Sequence, residues 1–99
     1  MGETPDLHIY AQLMYHWEAI VVGNVAGLTA LRDALNAAID SGTGCAVAFA
    51  KDGEGYHVVA LRQDDMRAMP LPYTDRNCSE PMTMELSTRA ANVIADREA

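Results

Sequence analysis

The stretch that decides the fold runs from residue 16 to 62: HWEAIVVGN (16–24), VAGLTALRDALNAAIDSG (25–42) and, after Thr43, GCAVAFAKDGEGYHVVALR (44–62). The middle piece repeats its apolar residues every three or four positions, at Leu28, Leu31, Leu35, Ala38 and Ile39, which is the spacing of one helix face turned toward a sheet. Asn24 ahead of it can accept from the free backbone N–H groups of a helix start, and Gly42 behind it suits a left-handed C-terminal cap. The pieces that follow alternate instead. Cys45, Val47 and Phe49 alternate with alanines, and Tyr56, Val58 and Ala60 with His57, Val59 and Leu61, across the turn KDGEG (51–55); this is the period of a hairpin. The class is α+β: a small antiparallel sheet with one main helix packed on it, in the order strand, helix, hairpin. Alanines at 46, 48 and 50 leave room for something bulky on that face, either the helix or another subunit.

Outward toward the N-terminus, every odd position from Leu7 to Val21 is apolar or aromatic, and the even ones include His8, Gln12, His16 and Glu18. That period of two favours a strand. Leu7, Tyr10, Met14 and Trp17 also fit a helical stripe, so residues 7–14 stay open between the two, with strand expected from about Tyr15. A strand that long outruns its partners, and its overhang is a pairing edge for another subunit. Thr4, Pro5 and Asp6 carry a helix-start signal. Outward toward the C-terminus, QDDMRAMPLPYTDRNCSEP (63–81) breaks both periodicities and reads as an irregular segment packed by Met66, Met69, Leu71 and Tyr73. From Thr83, a candidate cap, Leu86, Ala90, Val93, Ile94 and Arg97 restore a helical pattern, so a short C-terminal helix is expected.

Ninety-nine residues supply one core and one domain, 1–99, and a domain of that size is often helped by association. The formal charge of −7 and the lack of a basic block argue against nucleic-acid polymers and anionic membranes as partners. With no apolar run near 18 residues and no charged-then-apolar leader, the expected location is the cytoplasm. Cys45 and Cys78 are both expected as reduced thiols, Cys45 as a small core residue. Six of the seven cations are Arg, the residue that forms paired bonds to carboxylate or phosphate.

Catalytic and metal signatures fail one by one. In the turn, Asp52, Glu54, Gly55 and Tyr56 align with the middle of a calcium loop, but its first and last ligands would be Ala50 and Leu61. His8, His16 and His57 have no zinc spacing, and His16 with Glu18 is a common pair of solvated strand neighbours rather than an acid/base pair. No nucleophile elbow, phosphate loop or dinucleotide fingerprint is present. Nothing points to an enzyme, a cofactor or a metal. What remains is binding: the bend Gly23–Asn24 ahead of a helix accepts phosphate or carboxylate, and Arg62, Arg67 or Arg76 with Tyr56 or Tyr73 would supply clamps and a stacking face.

Four short motifs, IVVGN (20–24), GLTALRDAL (27–35), DGEGY (52–56) and LPYT (71–74), together resemble small phage-encoded anti-defence proteins of the anti-Thoeris sponge type. The resemblance covers roughly residues 16–76. It implies a non-enzymatic, homo-oligomeric protein of the host cytoplasm that sequesters a cyclic nucleotide immune signal, cyclic ADP-ribose-like or a cyclic oligonucleotide, in pockets between subunits. Family ligand residues do not align one by one. The physical candidates are therefore Asn24 and the arginines Arg62, Arg67 and Arg76 on phosphate and Tyr56 or Tyr73 on a base, with Thr74 as a further ligand-binding candidate. The strand, the bend and the helix start are also similar to small immunity proteins of bacterial toxin systems. The alternative is accordingly an acidic protein-binding inhibitor, of the immunity or anti-CRISPR kind, using Asp52, Glu54, Asp64 and Asp65.

Overall fold

The computed structural model describes residues 3–12, 17–69 and 84–98. Its elements are strands β1 (Leu7–Tyr10) and β2 (Ile20–Gly23), helix α1 (Val25–Ser41), strands β3 (Thr43–Phe49) and β4 (Gly55–Leu61), and helix α2 (Met84–Glu98), with a 3-10 turn at Met66–Ala68. β1 pairs antiparallel with β2, and β3 with β4. A single parallel bridge, Asp6 to Phe49, joins the two ladders and sets β1 beside β3. The α+β class, the main helix, the hairpin and the short C-terminal helix all stand as the residues predict.

Both ends of α1 follow from their residues. Asn24 is extended and its side chain accepts from the Gly27 N–H; Gly42 is left-handed (φ 100°) and donates its N–H to the Ala38 carbonyl. Gly53, at φ 87°, lets the β3–β4 turn close.

Four expectations need correction. The single long N-terminal strand is instead two short strands folded on each other, with Leu7 opposite Gly23 and Tyr10 opposite Ile20. The overhang expected to pair with another subunit is thus paired within the chain, and Trp17–Ala19 lies outside any strand; Tyr15 and His16 lie outside the described residues. Thr4-Pro5-Asp6 starts no helix. The Asp6 N–H is bonded to the Thr4 carbonyl and the Asn24 side chain, and the Pro5 carbonyl accepts from Phe49, so the segment is fixed as an extended entry to β1.

The helix face is also rotated. Of the five residues expected against the sheet, only Ala38 is buried and Leu31 half-buried; Leu28, Leu35 and Ile39 are 44%, 46% and 65% exposed. Gly27 and Ala34 join Ala38 at the contact. The reason lies in β3, whose buried positions are Gly44, Ala46 and Ala48. A Cβ on Gly44 would come 1.9 Å from the Ala34 carbonyl oxygen, so helix and strand meet backbone to backbone with no depth for leucines. The face left open by the alanines is taken by the helix. Among the described residues, Leu7 is the one large side chain that is completely buried.

Cys45 is a half-buried free thiol. Cys78, Thr83, Leu71 and Tyr73 lie outside the described residues.

Candidate functional site

Two adjoining clefts open where the N-terminal segment meets the β3–β4 turn. The larger, about 490 Å³, lies between Thr4, Pro5 and Asp6 on one side and Phe49, Lys51 and Gly53 on the other. The smaller, about 260 Å³, is lined by His8, Ile9 and Tyr10 of β1 together with Ala50 and Tyr56. Ala50 borders both.

A chain of hydrogen bonds fixes the rings of the smaller cleft. The Lys51 N–H donates to His8 Nε2 at 3.0 Å, which makes Nε2 the acceptor of a neutral imidazole. Nδ1 therefore carries the proton and donates to the Tyr10 hydroxyl at 2.8 Å, the two rings standing edge to face with centroids 5.8 Å apart. Tyr56 stands opposite Ala48 in the hairpin and donates its hydroxyl to the Leu7 carbonyl, tying β4 to β1. These bonds hold three ring-bearing side chains in place before any ligand arrives, at little further entropic cost.

Charge differs between the two clefts. The larger carries one group of each sign, Asp6 and Lys51. The smaller has no acidic lining residue. Asp52, in the turn, is engaged locally: its carboxylate accepts from the Glu54 N–H at 3.0 Å. Lys51 makes no ion pair among the described residues.

The other residues predicted from sequence do not gather here. The Asn24 amide is taken up by the chain itself. Its oxygen accepts from Gly27 N–H (2.8 Å) and Asp6 N–H (3.1 Å), while its nitrogen donates to the Thr4 carbonyl (2.9 Å) and to the Asp6 carboxylate (3.3 Å). A Cβ on Gly27 would stand 1.9 Å from the Asp6 carbonyl oxygen, so the helix start is covered by the N-terminal segment. Asn24 thus stands behind one wall of the larger cleft. Arg62 lies at the other end of α1, donating to the Ile39 carbonyl at 2.8 Å, with Asp64 at 3.8 Å.

Arg67 is forked onto Asp65 at 3.0 and 3.1 Å, and its own N–H bonds the same carboxylate. That guanidinium holds the Asp65 carboxyl below the usual carboxylate range, and Asp65 raises Arg67 in turn. Arg76, Tyr73 and Thr74 lie outside the described residues. Of the described candidates, Tyr56 alone lines a cleft.

His8, Tyr10 and Lys51 are the site residues that reading the sequence passed over. His8 and Tyr10 are two apart on a strand and so share a face, a local signal. The bond between His8 and Lys51 spans 43 positions and has none. Among the described residues no group of His, Cys, Asp and Glu is arranged to hold a metal ion, and no helix is long and apolar enough to cross a membrane.

Compared with protein-family models, with curated proteins and with solved structures, the chain matches none.

Proposed function

We propose that this protein is a non-catalytic binder that sequesters a small, flat, anionic ligand of the cyclic nucleotide class, held at the paired clefts by the rings of His8, Tyr10 and Tyr56 and by the Lys51 ammonium. The observation that carries this reading is the fixing of those rings at an acid-free cleft that shares Ala50 with the larger cleft, where Lys51 and Asp6 both stand. Rings offer stacking faces to a base, worth about 1–3 kcal/mol per stacked base, and an ammonium without a carboxylate partner is available to phosphate. The smaller cleft falls just below the roughly 300–1,000 Å³ of ordinary ligand pockets, so a ligand of this size spans both clefts or is closed in by another subunit. The assembly implied by the sponge resemblance meets that need. Thermal denaturation with a panel of cyclic nucleotides, cyclic ADP-ribose isomers included, tests the reading: a dose-dependent rise in melting temperature supports it, and a flat response across the panel overturns it.

A second reading, an acidic inhibitor of a basic protein, is favoured by one observation. Asp6 and Phe49 both line the larger cleft, and a carboxylate with an aromatic residue suits a Lys or Arg side chain from a partner. That reading expects association that weakens steeply with salt and is lost in Asp6→Asn, with no response to nucleotides.

A further inference from the structure

The residues that α1 turns away from the sheet form a second stripe. Val25, Leu28, Arg32, Leu35 and Ile39 recur at spacings of three, four, three and four, and they sit roughly a third of a turn around the helix from the buried Gly27, Ala34 and Ala38. Val25 is 77% exposed, the most of any large apolar residue described. The stripe does not end at the helix. Gly23 faces both Leu7 and Leu28, and strand alternation puts Ile9 and Val21, paired opposite each other, on that same face. Both are about half exposed. Helix flank and hairpin face therefore meet at an angle to make one apolar ledge, while the side chains that are buried beneath α1 are alanines.

The pattern of the stripe selects its occupant. Read backward from Ile39 it has nearly the same spacing as read forward from Val25, with Arg32 at its centre. Two copies laid antiparallel set Val25 against Ile39 and Leu28 against Leu35 of the second copy, and bring the two Arg32 side chains to the axis. Like charges there would oppose association, but Arg32 lies against Asp33 at 3.1 Å, and both groups are exposed. At a two-fold axis each arginine reaches the aspartate of either copy, and the charges balance. Six large apolar side chains, Val25, Leu28, Leu35, Ile39, Ile9 and Val21, each between 44% and 77% exposed, give the stripe its contact surface.

We infer that the Val25–Leu28–Arg32–Leu35–Ile39 flank of α1, with Ile9 and Val21, is a two-fold interface with a second copy of this chain. Ile9 also lines the aromatic cleft, so the second copy borders the proposed ligand site. The assignment does not depend on the ligand, because the test reads mass alone.

Sedimentation equilibrium of the full chain at micromolar concentration is expected to give twice the 10.7 kDa monomer, or an even-numbered assembly built from that pair. Arg32→Glu sets four carboxylates around the axis and is expected to halve the mass while leaving the circular dichroism unchanged, since residue 32 is exposed. Arg32→Glu combined with Asp33→Arg restores the balance and is expected to restore the mass. Leu35→Asp is expected to give the monomer, and Ile20→Asp, on the opposite face of β2, to leave the assembly intact. A monomeric wild type overturns the inference, whether another part of the chain covers the stripe or nothing does. A folded Arg32→Glu protein with wild-type mass overturns it equally.

Discussion

Gly44 and Ala34 meet backbone to backbone: a Cβ added to Gly44 would stand 1.9 Å from the Ala34 carbonyl oxygen. The whole seat of α1 on β3 depends on that approach, which explains why the contact layer is built of glycine and alanine. Gly44→Ala is expected to destabilise the fold by about 1–3 kcal/mol or more, because the methyl group meets backbone rather than a side chain that can swing away. Urea denaturation measures it; an unchanged midpoint would mean the helix is not seated this closely.

Asn24 makes four side-chain hydrogen bonds, two through each end of its amide, and joins the helix start to the N-terminal segment. Asn24→Ala is expected to cost at least the roughly 1–2 kcal/mol of a lost N-cap, with the tether to Thr4 and Asp6 lost as well. Asn24→Asp keeps the cap but faces the Asp6 carboxylate and loses the donor to Thr4, so its stability falls between wild type and the alanine variant. Equal stability of all three by calorimetry would contradict this role.

How far the sequence discloses the fold is clearest at these two positions. Asn24 and Gly42 are caps whose chemistry is local, and the helix between them, like the Cys45–Phe49 and Tyr56–Leu61 alternations, is legible from residue spacing alone. The face that α1 buries is not. Leu28, Leu35 and Ile39 carry the stronger apolar signal, yet the facing strand offers Gly44, Ala46 and Ala48, and the depth of that contact is set by the partner strand. The N-terminal run misleads for a related reason: two strands folded on each other keep the alternation of one long strand, and nothing local marks the reversal. At the site, Tyr56 is visible as an aromatic beside a turn, whereas His8 and Lys51 come together only through the bridge between Asp6 and Phe49.

Tyr56→Phe removes the hydroxyl that donates to the Leu7 carbonyl and keeps the ring. The expected loss is about 1 kcal/mol of stability, the net worth of one hydrogen bond, with stacking capacity retained. Tyr56→Ala is expected to remove both. Comparing the two variants by thermal melts and by ligand titration separates the tie from the stacking face; identical behaviour would show that the ring has no role.

Asp65 titrates below the ordinary carboxylate range because of Arg67. A depressed folded value means that the pairing contributes above the unfolded value and is lost as the pH falls through the folded one. Carbon-detected NMR titration of the carboxyl is expected to show the low midpoint in wild type and a return toward the ordinary value in Arg67→Ala. Both groups are exposed, so little change in global stability accompanies it. The same midpoint in both proteins would contradict the pairing.

The most direct test of the central claim is isothermal titration calorimetry of the wild type and of Lys51→Glu with the cyclic nucleotide panel. The account predicts saturable binding of at least one member by the wild type and a loss of at least about tenfold in affinity in Lys51→Glu, with the melting temperature of the free protein unchanged. No heat from any member of the panel, or binding that Lys51→Glu leaves intact, would contradict it.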